Sequence, residues 1–219
     1  MIIKVCGMRD AENIREVEAL RPDWMGFIFW PRSKRCVRVF PEYMPIYCKR
    51  VGVFVDEDVE QVKRIADDYA LDLIQLHGSE SPNYVRKLRE WEVIKAFNIA
   101  TADDLQATAA YEGVADYFLF DARCPVRGDV GVLPGGTGQQ FDWSVLSAYD
   151  GSTPFLLSGG IGPDDAPRLR TFFETGVGSV AGKCIGVDLN SRFELSPGVK
   201  DVDSLRRFLT SLRSNQKTH

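Results

Sequence analysis

The sequence predicts an α/β fold, a single-domain (β/α)8 barrel with parallel strands over residues 1–219. Three observations carry this. Short apolar runs and helical patterns alternate about eight times, and strict alternation gives a parallel sheet with helices outside it. No linker or shift in composition interrupts the 219 residues, and about eight units in that length is the count for a compact TIM barrel. No GxGxxG follows the first strand, which weakens the rival, an open doubly wound sheet.

The elements follow in order. Ile2-Ile3-Lys4-Val5-Cys6, stopped by Gly7, reads as a buried first strand. Side chains alternate along a strand, so Lys4 and Cys6 share a face. If the strand lines a barrel, Cys6 points into the mouth at its carboxyl end and Lys4 lies one layer below. Asp10-Ala11-Glu12 opens a helix with Ile14, Val17 and Leu20 at helical spacing, and Pro22 ends it. Trp24 to Phe29 is the second strand, and Pro41 to Tyr47 predicts a short helix. Arg50 to Val55 is the third strand, and Asp56-Glu57-Asp58 starts a helix with Val59, Val62, Ile65 and Ala66 on one face. Leu71 to Leu76 is the fourth strand, running into His77-Gly78. Ser81-Pro82 starts the next helix, with proline in the first turn where its missing N–H does no harm. Glu92 to Phe97 is the fifth strand, and Thr101 to Asp104 caps a helix. Asp116 to Phe120 is the sixth, ending at Asp121. A glycine-rich loop covers Ala122 to Gln139, and Phe141-Asp142-Trp143 leads a helix to Tyr149. Thr153 to Leu157 is the seventh strand, followed by Ser158-Gly159-Gly160. Pro163-Asp164-Asp165 opens a helix, Lys183 to Val187 is a weaker eighth strand, and Asp201 to Leu212 is a closing helix.

Composition removes several classes of function. A net charge of -4 leaves no electrostatic footprint for nucleic acid. No apolar run is long enough to span a bilayer and no signal peptide precedes Lys4, so a cytoplasmic protein without membrane partners is expected. The 5 cysteines (Cys6, Cys36, Cys48, Cys124, Cys184) are scattered, odd in number and form no CxxC, so they read as reduced thiols. Two histidines, His77 and His219, cannot build a histidine-rich metal site, and no metal is expected.

Barrel chemistry sits at the carboxyl ends of the strands, often with a phosphate after strands seven and eight. A buried Lys4 ammonium beside Cys6 is expected to lower the thiol pKa from about 8.5 toward neutrality, making it a usable base. The plain alternative is a structural core cysteine. Glycines collect in Gly135-Gly136-Thr137-Gly138, in Gly159-Gly160 and from Gly176 to Gly186, where backbone N–H groups can approach an anion closely. Ser191 and Glu194 have capping-box spacing, so a short helix is expected after Asp188-Leu189-Asn190, its N–H groups facing a phosphate. Arg32-Ser33-Lys34-Arg35 is a basic stretch on the functional rim, in which Arg32 and Lys34 read as solvated. Asp121 is either a mouth residue or a loop cap, and His77 either a ligand contact or a packed imidazole. Lys95 points into the barrel or toward solvent between helices.

These pieces, in this order, resemble one family. KVCGM (Lys4–Met8), GFIF and SKR (Gly26–Phe29, Ser33–Arg35), GVFV (Gly52–Val55), QLHG (Gln75–Gly78) and KAF (Lys95–Phe97) are followed by Asp121, GGTGQQFDW (Gly135–Trp143), LSGGI (Leu157–Ile161) and PGVKD (Pro197–Asp201). The chain is similar, nearly end to end, to the phosphoribosylanthranilate isomerases of tryptophan synthesis. The resemblance implies that Cys6 is a general base, that Asp121 is a general acid, and that Arg35 binds the anthranilate carboxylate. It also implies a phosphate site on Gly136, Thr137, Gly138, Gly159, Gly160, Asp188, Asn190 and Ser191. Lys4, Gln75 and His77 become substrate contacts or groups that tune these pKa values. The implied reaction is an Amadori rearrangement of a small phosphosugar by a monomer or homodimer, requiring no nicotinamide and no metal. It asks the environment to lower the pKa of Cys6 and raise that of Asp121. Lys34 stands where the family has proline, and the Ala122–Leu133 loop is longer than the family's. Among neighbouring phosphosugar barrels, the histidine-pathway isomerase would carry aspartate at position 6, and a pentose-phosphate epimerase needs metal ligands. A non-catalytic sugar-phosphate sensor would have lost Cys6 or Asp121, and both are present.

Overall fold

The computed structural model describes residues 1–122, 143–175, 180 and 182–214. Eight parallel strands close into a barrel in chain order: β1 (Ile2–Cys6), β2 (Trp24–Ile28), β3 (Lys49–Phe54), β4 (Leu73–Leu76), β5 (Glu92–Ile99), β6 (Tyr117–Ala122), β7 (Phe155–Ser158) and β8 (Cys184–Leu189). Closure is made by β8 on β1, which sets Lys4 opposite Asp188 and Val5 opposite Leu189. The expected barrel and its strand order are therefore present, with the eighth strand a full member.

Parallel strands are covered on both faces, so their sequences are nearly continuously apolar. Inward positions form a compact filling of Trp24, Val51, Leu73, Ile94, Leu119 and Leu156. Trp24 and Tyr117 meet edge-on across the interior, ring centroids 5.3 Å apart. Outward positions pack under the helices in a second, larger cluster that includes Ile14, Val17, Val62, Leu169, Leu205 and Phe208.

Helix starts follow capping chemistry. The Asp10, Asp58, Ser81 and Asp201 side chains accept backbone N–H groups of the first turns of α1 (Ala11–Glu18), α2 (Val59–Asp68), α3 (Pro82–Val85) and α5 (Val202–Arg213). The seventh crossover is a 3₁₀ turn, Pro163–Asp165, running into α4 (Ala166–Thr175). The fifth and sixth crossovers are 3₁₀ helices, Ala102–Tyr111 and Trp143–Ala148. In the first of these the Thr108 hydroxyl donates to Leu105 O at 2.7 Å, a local bond that competes with an α-helical ladder.

Two expectations fail here for physical reasons. Pro41 to Tyr47 forms no helix. Pro45 offers no N–H and disfavours helical geometry at Met44. The chain instead wraps the buried carboxylate of Glu18, which accepts the N–H groups of Ile46 (2.6 Å) and Tyr47 (2.7 Å) and the Tyr43 hydroxyl. Beyond β8, an antiparallel hairpin appears that sequence reading missed: β9 (Glu194–Ser196) and β10 (Val199–Lys200), turned at Gly198 with φ 87°.

At the amino-terminal rim one device recurs. Asp23, Asp72 and Asp116 immediately precede β2, β4 and β6. Each carboxylate accepts a backbone N–H from the preceding strand: Ile3 (2.8 Å), Arg50 (2.7 Å) and Val93 (2.7 Å). That end is clamped, which leaves the carboxyl end for chemistry.

Candidate active site

The β1 terminus is built on bare backbone. Gly26 O accepts from both Gly7 N (2.9 Å) and Met8 N (3.0 Å), and Gly7 takes a left-handed φ of 81°. Gly26 carries no side chain toward the interior. A Cβ there would stand 2.7 Å from Cys6 Sγ, so the sulfur occupies the space that this glycine leaves. Cys6 is 3% exposed and Lys4 fully buried, and Lys4 Nζ pairs with Asp188 Oδ1 at 2.8 Å. Burial opposes the Lys4 charge, but Asp188, aided by Cys6, outweighs it and holds the ammonium above the ordinary lysine range.

The expected lowering of the Cys6 pKa is corrected. Burial pushes the thiol up; Lys4 and Lys200 pull it down, Asp188 pushes it up again, and burial prevails. The physical reason is burial, which penalises the thiolate more than the neighbouring charges favour it. Lys4 still favours the thiolate, but Asp188, its ion-pair partner, offsets part of that effect.

A polar arc runs from this corner around the inner wall. Ser158 Oγ lies 3.4 Å from Asp188 Oδ2, and Ser158 stands opposite Asp121 in the β6–β7 register. Asp121 shares the inward face of β6 with Leu119. Its Oδ2 lies 3.6 Å from His77 Nε2, and Gln75 Nε2 meets His77 Nδ1 at 3.1 Å. With the Gln75 amide as donor, Nδ1 is the acceptor and the ring proton belongs to Nε2, aimed at Asp121; this tautomer is an assignment from the network. Gln75 Oε1 and His77 Nε2 are buried without a hydrogen-bond partner among the described residues. Cys6 and Asp121 therefore both project inward at the carboxyl end.

On the rim, Arg32 and Lys34 are exposed, whereas Arg35 is half-buried. Arg35 Nε lies 2.9 and 3.0 Å from the two Glu194 oxygens, and Nη2 lies 2.6 Å from Oε2. Lys200 Nζ donates to Glu194 Oε1 (2.7 Å), Asn190 Oδ1 (2.8 Å) and Asn190 O (3.3 Å). The expected capping box does not form. The turn at Ser191–Phe193 is three residues long, Asn190 precedes it without a side-chain cap, and Glu194 is committed to Arg35 and Lys200. Glu194, whose spacing from Ser191 predicts only a cap, and Lys200, which carries no signal beyond the PGVKD segment, emerge as site residues only in the structure.

Lys95 takes neither expected course. It is 3% exposed, packed outside the barrel between strand and helix layers. There it donates to Gly78 O (2.8 Å), pairs with Glu80 Oε2 (3.2 Å) and lies over the Phe97 and Tyr111 rings.

Of the expected phosphate positions, Gly136, Thr137 and Gly138 lie outside the described residues, as does the whole 123–142 stretch. Gly159 and Gly160 take left-handed φ values of 90° and 69°, and a Cβ on Gly160 would meet open space. Asp188 is a β8 residue with its carboxylate on Lys4, which leaves Asn190 and Ser191 as the positions of that stretch nearer the rim. Among the described residues Cys6, Cys36, Cys48 and Cys184 are free thiols, and no group of three metal-ligating side chains occurs. No described helix is long and apolar enough to cross a membrane.

Comparison with known proteins agrees with this layout. The family described as N-(5'phosphoribosyl)anthranilate (PRA) isomerase matches residues 3–211. The N-(5'-phosphoribosyl)anthranilate isomerase of Parabacteroides distasonis is 47% identical over 220 residues, covering 97% of this chain and 93% of that protein. Among solved structures, the phosphoribosyl anthranilate isomerase of Thermotoga maritima superposes with a TM-score of 0.79 at 30% identity, covering 98% of this chain and 100% of the other. A phosphoribosyl anthranilate isomerase in complex with reduced 1-(o-carboxyphenylamino)-1-deoxyribulose 5-phosphate gives a TM-score of 0.76 at 29% identity, covering 98% and 100%. A match over nearly the whole length, on the fold that holds Cys6 and Asp121 at one mouth, places this chain in the N-(5'-phosphoribosyl)anthranilate isomerase family.

Proposed function

We propose that the chain converts N-(5'-phosphoribosyl)anthranilate to 1-(2-carboxyphenylamino)-1-deoxyribulose 5-phosphate in tryptophan biosynthesis, with Asp121 as general acid and Cys6 as general base. The observation that carries the residue roles is the inward placement of both groups at the carboxyl end, joined by the arc through Asp188 and Ser158. The rearrangement is an internal redox reaction that needs proton transfers only. Asp121 protonates the furanose oxygen, the C1–O bond breaks, and a Schiff base forms to the anthranilate nitrogen. Cys6 then takes the proton from sugar C2. The resulting enol-enamine gains a proton at C1 and loses its hydroxyl proton to become the ketone.

Two handles hold the ends of the substrate: Arg35 for the carboxylate and the loops after β7 and β8 for the phosphate. The left-handed Gly159-Gly160 pair supports the second. Remote handles place the sugar between acid and base, so that binding energy goes into orientation. The same reading makes the chain a single barrel domain acting in the cytoplasm as a monomer or homodimer.

The test is to supply the aminoaldose and follow the aminoketose by chromatography. Turnover by the wild type, reduced on the order of 100-fold or more in Cys6→Ala and in Asp121→Asn, supports the reading. Full turnover in either variant removes that residue from the mechanism.

A further inference from the structure

We infer that Glu194, anchored by Lys200, is a positioning residue that presets the Arg35 guanidinium for a single carboxylate and makes the site selective for an acidic aglycone. This rests on the isomerase reading and adds to it two residues that carry no assigned role.

A guanidinium has two edges that can grip a carboxylate: the side edge of Nε with one terminal nitrogen, and the end edge of both terminal nitrogens. Glu194 takes the side edge, at 2.9 and 3.0 Å from Nε and 2.6 Å from Nη2. Among the described residues Nη1 makes no hydrogen bond, so the end edge, Nη1 with Nη2, is left to a ligand. The Arg35 side chain is 24% exposed, whereas the Glu194 side chain is 4% exposed. The arginine therefore reaches the mouth and its partner lies beneath it.

Glu194 could instead be a stand-in for the substrate carboxylate, released when substrate arrives. Its other contacts oppose that. Lys200 Nζ holds Oε1 at 2.7 Å and Gly198 N donates to the same oxygen at 3.1 Å. Lys200 is itself tied to Asn190 and has no exposed side-chain surface. Withdrawing Glu194 would strand a buried ammonium, which is costly. Glu194 also stays ionised: burial disfavours its charge, but Arg35 and Lys200 more than compensate and hold its carboxyl below the usual range.

The charge count and the path of the side chain point the same way. Arg35, Lys200 and Glu194 sum to one net positive charge, the complement of one carboxylate. The Arg35 stem crosses the chain directly after the proposed base, since a Cβ on Gly7 would stand 2.9 Å from Arg35 Cδ and 2.8 Å from Asn190 Oδ1. The arginine is therefore anchored against the residue that follows Cys6.

The experiment compares two substrates on intact protein: N-(5'-phosphoribosyl)anthranilate and N-(5'-phosphoribosyl)aniline, which differ only in the carboxylate. In Glu194→Gln, KM for the anthranilate compound should rise about tenfold, with kcat within about threefold and KM for the aniline compound within about twofold. The conservative Glu194→Asp should recover part of the lost selectivity. The ratio of the two KM values is read within each preparation, so partial misfolding does not distort it. If Glu194→Gln does not fold, the same ratio from Glu194→Asp decides, a selective loss supporting the inference. A lower KM for the anthranilate compound would show a stand-in, and an equal penalty on both substrates would show a merely structural acid; either overturns the inference alone. A wild type that turns over neither compound overturns the isomerase reading as well.

Discussion

Gly26 and Cys6 show how a residue without a side chain sets the reactivity of one that has it. The methyl group of Gly26→Ala would stand 2.7 Å from the sulfur, closer than real Cβ contacts, and a tight 3.1 Å from Cys6 Cα. The thiol must move, and displacements near 1 Å cost catalysis about 100-fold. We expect Gly26→Ala to lower kcat by on the order of 100-fold, with an overpacking cost of about 1–3 kcal/mol read from thermal melting. The Cys6 environment also sets a pH dependence. Burial raises the thiol pKa, so the protonated form prevails at neutral pH and the base form increases as pH rises. In free enzyme kcat/KM should therefore keep climbing beyond pH ~8.5, the ordinary thiol value, and Cys6→Ser should lose that climb with most of the activity. A plateau below neutral pH in the wild type would contradict the placement of the thiol. Cys6 stood out in the sequence because a lysine two residues earlier shares its face. The neutralising partner of that lysine, Asp188, is 184 residues away and could not be paired with it by spacing. Glu194 escaped for the same reason, 159 residues from Arg35.

The elements were readable wherever a local rule dominates. Helix starts at Asp10, Asp58, Ser81 and Asp201 follow from side chains that accept N–H groups within three residues. Elements set by distant contacts were not. The segment before β3 contains two prolines and takes its shape from Glu18 at the end of α1, and the β9–β10 hairpin is organised around Glu194 and Lys200. This makes Glu18 a test of the element it shapes. Its carboxylate is 5% exposed and satisfies two backbone N–H groups, at Ile46 and Tyr47. Glu18→Ala leaves both donors buried or hydrated at a loss, a cost of about 1–3 kcal/mol. Limited proteolysis should then cut first between Val39 and Tyr47, where Val39 (79%), Ile46 (64%) and Tyr47 (69%) are already exposed. Cleavage beginning elsewhere would show that another contact holds the segment.

Over the whole molecule, the barrel separates stability from chemistry along its axis. The alternation of about eight units was enough to read the closed architecture, because each strand buries both faces under its helices. The division of labour between the two ends was not, since it depends on which polar groups meet across strands. At the amino-terminal rim Asp72 accepts the Arg50 N–H from an exposed position and touches nothing in the arc from Cys6 to His77. Removing it forfeits about 1 kcal/mol, which for a chain of this size lowers Tm by about 2–4 °C. At the other end, Arg35→Ala takes away one cation and leaves Glu194 paired with Lys200 at 2.7 Å, so no buried charge is stranded. Asp72→Ala should therefore lower Tm with kcat/KM unchanged, whereas Arg35→Ala should raise KM for the anthranilate compound at least tenfold. Distant sites with no shared partner act independently, so the double variant should show both effects added. A double variant whose KM departs from that of Arg35→Ala alone would mean that the two ends of the barrel are mechanically coupled.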